Sequence, residues 1–322
     1  MRLAVFGYYG KQNIGDELFR EAFRALFPDH SFSFFDRITR DNASQADAII
    51  IGGGSLLNGD FPHEPEALPP LAQKPLLYIS VGAETAIHPF HERLLRQARL
   101  VAIRSPSALE KMLALNEKTI VIHDLVYSLG TSAAIKRLDK SLLFLPNIYT
   151  LPRHSDPHWM HTAWGHFKNE IAQAFDDLVD DGWMLRMMPM SSDRLVNDAL
   201  PAYEIIGAMR NRGDYLIPGQ GDIKSLKTIF KEFEVVISQR YHGLVLAEMT
   251  MTKLVSIAHS HKLQETAFNQ GEKLSYYGFS KDLLHEARKN SSKQSFKCIS
   301  PHMFEELQTK VECAMHSLTK PA

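Results

Sequence analysis

Cysteine is nearly absent from this chain. The two cysteines among 322 residues, Cys298 and Cys313, sit near the C-terminus without metal-ligand spacing. That excludes a disulfide scaffold and fits a reducing compartment. A dominant sign of charge is missing too: Lys and Arg total 36 against 37 Asp and Glu. No global field draws the chain to nucleic acid or to an anionic membrane, so any anion must be held by a local cluster. No stretch reaches the ~20 apolar residues that span a bilayer. Met1 leads straight into Leu3-Ala4-Val5-Phe6 with no basic segment followed by a long apolar one. The expected location is the cytoplasm, either free or peripheral at the inner face of the membrane. Metal signatures are missing as well: there is no D-x-D pair and no H-E-x-x-H among the 15 histidines. The expectation is no metal and no cofactor.

What is present is the composition of an ordinary globular protein, 44% hydrophobic and 23% charged. The length suits two domains. Short apolar runs at Leu3–Phe6, Ser31–Phe35, Ala48–Ile51, Pro75–Ser80, Leu100–Ile103 and Thr119–Ile122 alternate with amphipathic segments. They predict parallel strands buried on both faces, in a doubly wound Rossmann-like domain over residues 1–130. Gly130 to Asp139 reads as a linker. The pattern restarts with strands at Leu142–Leu145, Trp183–Met188, Tyr215–Ile217, Val235–Ile237 and Leu254–Ile257. Helices are expected at Trp159–Leu178, Ser192–Met209, Asp222–Phe233 and Tyr241–Thr250. The fold class is therefore α/β, with two Rossmann-like domains facing a cleft and resembling the glycosyltransferase-B architecture. The second domain is expected over 141–322, its final helix free to pack back on the first.

In open parallel sheets, ligands bind where strand ends meet helix N-termini. Five segments occupy such places. Gly7 to Glu17 follows the first strand and carries Gly10, Asn13, Gly15, Asp16 and Glu17. Its glycine spacing is neither a dinucleotide nor a Walker loop. Asp16 and Glu17 either touch substrate or complement the helix dipole. Gly52-Gly53-Gly54 follows the third strand, and its backbone N–H groups suit phosphate or sugar oxygens. Glu84, after the fourth strand, is either a solvated loop acid or a sugar-hydroxyl contact. Arg104, at the end of the fifth, can grip an anion bidentately or form an interdomain salt bridge. Ser238-Gln239-Arg240-Tyr241-His242-Gly243 is the sharpest cluster, a guanidinium and a proton donor at a helix N-terminus. His242 could otherwise cap that helix. Lys262, twenty residues after His242, adds a positive charge to the same region or begins the next helix.

Taken in order, the Gly-rich N-x-G-D-E loop, the Gly-Gly-Gly loop, Arg104 before Ser105, Arg240-Tyr241-His242-Gly243 and Lys262 resemble the polysaccharide pyruvyl transferase family over residues 1 to 270. The resemblance implies that phosphoenolpyruvate is the co-substrate, contacted by Arg104, Arg240, His242 and the Tyr241 backbone. Lys262 would help hold the phosphate and His242 would be the general acid. The Gly10–Glu17 and Gly52–Gly54 loops would line the side of a sugar acceptor, free or lipid-linked. The family's Arg-Asp-x-x-Ser reads Arg104-Ser105-Pro106-Ser107 here, and its Asp-Pro reads Asp124-Leu125.

Three other readings compete. A nucleotide-sugar glycosyltransferase of the same architecture would need an acid for the ribose, and Glu248 can be offered. A non-catalytic sugar- or nucleotide-binding module would have little use for Arg240, His242 and Lys262 together. An NAD-dependent oxidoreductase has Asp36 in its favour and the glycine spacing against it.

Overall fold

The computed structural model describes residues 1–59, 61–83, 86–132, 136–147, 157–194, 196–219, 221–258, 263, 271–276, 278–291, 294 and 301–316. The chain forms two compact units. One comprises Met1–Lys11, Asp16–Gly130 and Ile299–Ala322, the other Gln12–Gly15 and Thr131–Cys298.

The first unit is a six-stranded sheet of β1 (Arg2–Phe6), β2 (Ser31–Phe35), β3 (Ala48–Gly54), β4 (Leu76–Val81), β5 (Leu100–Ile103) and β6 (Thr119–Val121), in the order β2-β1-β3-β4-β5-β6. Every pairing is parallel. Parallel strands need crossover connections, so both faces of the sheet are covered. This is why β3, β4 and β5 are buried along their whole length. The helix Ile14–Leu26 shows the matching pattern, with Leu18, Phe19, Ala22 and Phe23 fully buried at the spacings of a single helical stripe. The C-terminal helix Glu305–His316 also belongs to this unit: Gln308 donates to the Leu26 carbonyl, and Arg99 donates to that of Ala314.

The second unit holds β7 (Leu138–Leu145), β8 (Met184–Met187), β9 (Phe233–Ser238), β10 (Lys253–Ala258) and β11 (Glu272–Ser275), in the order β11-β10-β9-β7-β8. Again all pairs are parallel. Counted from the first strand of each unit, the first sheet runs 2-1-3-4-5-6 and the second 2-1-3-4-5. Each therefore reverses its winding once, between β1 and β3 in the first and between β7 and β9 in the second. Such a switch point opens a crevice at the carboxyl ends of the strands. The core of the second unit lies under the helix Pro157–Asp180, where Phe167, Ile171 and Phe175 are fully buried at four-residue steps. The helix Tyr241–Met249 is buried from Gly243 to its end, as its apolar composition requires. Arg137 donates to the Thr250 and Met251 carbonyls beyond that end, at 2.9 and 2.7 Å, placing a cation against the negative pole of the helix.

The architecture expected from the sequence, two parallel-sheet α/β domains, is the one observed, with differences in detail. Tyr215–Ile217 is not a strand; Leu216 makes only an isolated bridge to Met187. The helix expected from Ser192 begins at Ala199, because Ser192 and Asn197 pair in an isolated bridge ahead of it. The segment after Arg104 breaks into a 3-10 turn at Pro106–Ala108 and a short helix at Leu109–Leu113. Strand β11 and the helices Arg40–Gln45, Leu68–Gln73 and Lys281–Ser291 lack a pattern strong enough to be read beforehand. Among the described residues no helix is long and apolar enough to cross a membrane.

Phe175 sits edge-on to Phe144 of β7, with ring centroids 5.2 Å apart. Phe175→Ala should destabilise the second unit by about 3–5 kcal/mol, the loss expected when a buried ring leaves a cavity. A denaturant midpoint unchanged within error would show that Phe175 does not contribute to the core as described.

Candidate functional site

In the first unit, the loops after β1 and β3 meet at the switch point. The Tyr9 hydroxyl donates to the Gly52 carbonyl at 2.7 Å. Burial, reinforced by the carboxylates of Asp16 and Glu17, holds the Tyr9 phenol well above its ordinary pKa, so it stays a donor. Glu17 is committed to the loop itself: one oxygen accepts the Gly10 N–H at 2.5 Å and the other accepts Arg20 at 2.9 Å. The glycine triplet has packing reasons of its own. Gly53 and Gly54 adopt φ of +74° and +106°, and a Cβ on Gly52 would stand 2.3 Å from the Ile79 carbonyl oxygen. Turn geometry accounts for Gly53 and Gly54, and close strand approach for Gly52. A carboxylate oxygen of Asp16 lies against Gly54, 3.0 Å from where its Cβ would be.

Arg104 was expected to present a guanidinium to ligand. Its side chain is instead 3% exposed and donates to Asp124 at 2.7 Å and to Ser55 at 3.1 Å. Asp124 is wholly buried and also accepts the Val126 N–H. The ion pair lies inside the first unit and joins the end of β5 to the segment after β6, while the bond to Ser55 ties it to the end of β3. Asp124 thus supports the arrangement, and the sequence reading had noted it only as a departure from a motif. Asp36, the acid a dinucleotide site would turn toward a ribose, pairs with Lys11 at 2.5 Å, and that hydrogen bond lowers its carboxyl pKa.

The second unit assembles the sharper site. Ser238 ends β9 beside β7, and its hydroxyl accepts the Arg240 N–H at 3.0 Å while donating to the Arg240 carbonyl at 2.8 Å. This tight turn starts the helix Tyr241–Met249 directly above the strand ends. Gly243 is required there, since a Cβ would sit 2.3 Å from Leu145 and 2.4 Å from the Ser238 hydroxyl. Across the switch point the Gln239 side-chain carbonyl accepts the Asn147 N–H at 2.9 Å, joining the ends of β9 and β7.

Arg240 is half-buried, and its Nε donates to Asp198 at 2.8 Å while Nη2 donates to the other carboxylate oxygen. The Asp198 side chain is completely buried and also accepts the Met190 N–H at 3.1 Å. Burial pushes its carboxyl pKa up, against the pull of the guanidinium. Asp198 escaped the sequence reading because it was placed inside a helix; a carboxylate just ahead of Pro201 in a β-to-α connection was the available signal. His242 stands next to Arg240 with its ring edge-on to Tyr241, centroids 5.2 Å apart.

The segment Gln12–Gly15 belongs to this unit. Ile14 donates its N–H to the Met190 carbonyl at 2.9 Å, and Ser192 donates to the Gln12 carbonyl at 3.1 Å. The Asn13 side chain accepts the Gly15 N–H at 3.2 Å. Gly15 presses closely against the imidazole: a Cβ there would be 1.9 Å from His242 Nδ1. The structure therefore brings Asn13, Gly15, Arg240, Tyr241 and His242 together in one unit. It places Gly10, Asp16, Glu17, Gly52, Gly53, Gly54 and Arg104 in the other. Glu84 and Lys262 lie outside the described residues. Glu248, offered above as a ribose ligand, is 3% exposed within the buried helix. Among the described residues no group of three or more His, Cys, Asp or Glu is placed to hold a metal ion.

Two parallel α/β sheets with their loops gathered at switch points define a protein of the glycosyltransferase-B fold type. Solved structures agree on that fold. The chain aligns over 99% of its length with 98% of a putative UDP-N-acetylglucosamine 2-epimerase from Listeria monocytogenes, at TM-score 0.56 and 11% identity. It aligns over its full length with 99% of the S. aureus MnaA–UDP co-structure, at TM-score 0.55 and 10% identity. A UDP-N-acetylglucosamine 2-epimerase from Rickettsia bellii is similar at TM-score 0.55 and 9% identity, over 97% of this chain and 95% of that one. No curated protein sequence matches. Residues 13–261 match the model of the polysaccharide pyruvyl transferase family, and the chain belongs to that family of transferases.

The Gly15 contact gives a test that needs no substrate. Gly15 is helical, so alanine costs nothing in backbone conformation and favours the helix by about 1 kcal/mol. Gly15→Ala should keep the fold and displace the imidazole. In a histidine NMR spectrum the His242 signal should move while those of the other histidines stay. An unmoved His242 signal would mean that the ring is not held by this segment.

Proposed function

We propose that the protein transfers a pyruvyl group from phosphoenolpyruvate to a pair of hydroxyls on a sugar, free or lipid-linked, with release of phosphate. Family membership supports the reaction class. The single observation that carries the assignment of roles is the adjacency of Arg240 and His242 at the N-terminus of a buried helix, with a buried carboxylate directing the arginine. A guanidinium fork suits a carboxylate or phosphoryl group, and the helix N-terminus adds partial positive charge.

The chemistry follows from those positions. Arg240 holds the anionic donor. His242 delivers a proton to the methylene carbon of phosphoenolpyruvate, which becomes the methyl group, and positive charge develops at the neighbouring carbon. The first sugar hydroxyl attacks that carbon and gives its proton to a base. Phosphate then departs, and the second hydroxyl closes the cyclic ketal as its proton is taken up. His242, neutral after the first step, is placed to accept one of the two hydroxyl protons. Lys262 would hold the phosphate, and the loops carrying Gly10 to Glu17, Gly52 to Gly54 and Glu84 would face the acceptor. Arg104, held by Asp124, would act by shaping the loop after β3 rather than by gripping the donor. The nucleotide-sugar reading is weakened by the burial of Glu248.

Phosphoenolpyruvate should raise the melting temperature and release phosphate in the presence of an acceptor, whereas UDP-sugars should do neither. Arg240→Ala should cost about 1.5–3 kcal/mol of donor affinity, the worth of a charge-assisted hydrogen bond. His242→Gln should leave donor affinity near wild type while turnover falls about a hundredfold or more. Stabilisation by UDP-sugars but not by phosphoenolpyruvate would replace this reading with glycosyl transfer. Normal turnover by His242→Gln would move the proton donor elsewhere.

A further inference from the structure

We propose that Asp198 is the positioning residue of the donor site, holding one edge of the Arg240 guanidinium so that the opposite edge faces the anion. This rests on the donor reading above. Arginine offers five N–H donors around a plane. Two of them, on Nε and Nη2, are directed at the two oxygens of Asp198. The edge formed by Nη1 and the remaining Nη2 proton makes no hydrogen bond to the described residues. That edge has the spacing that meets two oxygens of one carboxylate or phosphoryl group. A flexible arginine would lose side-chain freedom on binding; one already clamped loses little.

Asp198 is itself held in place. Its side chain is wholly buried, one oxygen also accepts the Met190 N–H, and its own N–H donates to the Ser191 carbonyl at 2.9 Å. The same short loop receives the N-terminal segment, because the Met190 carbonyl accepts the Ile14 N–H. Gly15, the next residue, bears on His242. A closed chain of contacts thus runs from Arg240 through Asp198, Met190 and Ile14 to Gly15 and His242. Anion grip and proton donor are set by one loop, and Asp198 is the member that carries charge. Lysine cannot replace arginine in this arrangement, since an ammonium lacks two opposed edges.

The test is a double-mutant cycle on Asp198→Asn, Arg240→Ala and their combination, reading melting temperature, steady-state kinetics and calorimetric affinity for phosphoenolpyruvate and inorganic phosphate. Asp198→Asn should weaken anion binding by about tenfold or more, raising KM more than it lowers kcat. In the Arg240→Ala background the same change should leave affinity untouched, because nothing remains to be aimed. There it should also raise the melting temperature, by removing a buried carboxylate that has lost its partner. A loss of stability and active fraction with KM unchanged would reduce Asp198 to a structural role and overturn the proposal. Additive effects on affinity would do the same. Arg240-dependent binding of phosphate without binding of phosphoenolpyruvate would refute the donor assignment, and the cycle read on phosphate would then decide the role of Asp198 by the same criteria. Absence of any Arg240-dependent anion binding would overturn both.

Discussion

Parallel pairing is the constraint from which the rest follows. Because every strand pair in both sheets is parallel, each strand must be followed by a crossover that returns the chain to the same edge. All the strand-to-helix loops of a unit therefore collect at the carboxyl ends of its strands. The order beginning 2-1-3-4-5 then forces one reversal of winding per sheet, and the two loops flanking each reversal diverge. Gly7 to Lys11 and the end of β3 at Gly52 to Gly54 occupy that place in the first unit, and Pro146-Asn147 and Gln239-Arg240 occupy it in the second. Chemistry concentrates there because backbone donors and helix N-termini have nowhere else to converge.

The two switch points are built differently. In the first, side chains are largely occupied with one another: Tyr9 with the Gly52 carbonyl, Glu17 with Gly10 and Arg20, Arg104 with Asp124 and Ser55. What such an arrangement presents is mainly backbone, which suits recognition of a neutral, hydroxyl-rich molecule. In the second, the one ion pair leaves a guanidinium edge available beside an imidazole. That arrangement suits the anionic donor proposed above. Both arginines singled out by type thus carry a buried aspartate, but the Arg104 side chain is 3% exposed whereas that of Arg240 is 15% exposed.

Glycine has two distinct uses in the same loops. At Gly53 and Gly54 the backbone turns through positive φ, which side chains resist. At Gly15 and Gly243 the backbone is ordinary helix, and glycine leaves room for a ring or a strand end that occupies the space where a Cβ would be. The second use, a close approach rather than a backbone requirement, couples elements far apart in sequence, since it brings residue 15 against residue 242.

The alternation of apolar runs with helical stripes was enough to fix the class of fold, because strands buried on both faces cannot be polar at any position. β5, buried at every position, was legible to the residue for that reason, while the edge strand β2 was legible from its alternating Ser-Phe-Ser-Phe pattern. The short helices Arg40–Gln45 and Leu68–Gln73 and the edge strand β11 were not, since edge and surface elements bury too little to impose a pattern. The positions of Arg240 and His242 were legible as a motif at a strand end. Their partners were not. Asp198 and Asp124 are ordinary aspartates in sequence, distinguished only by burial against an arginine 42 and 20 residues away. Local sequence carries helix, strand and turn, all short-range preferences of the backbone. Which carboxylate meets which guanidinium, and which glycine meets the imidazole, is decided by long-range packing, and the tertiary structure alone records it.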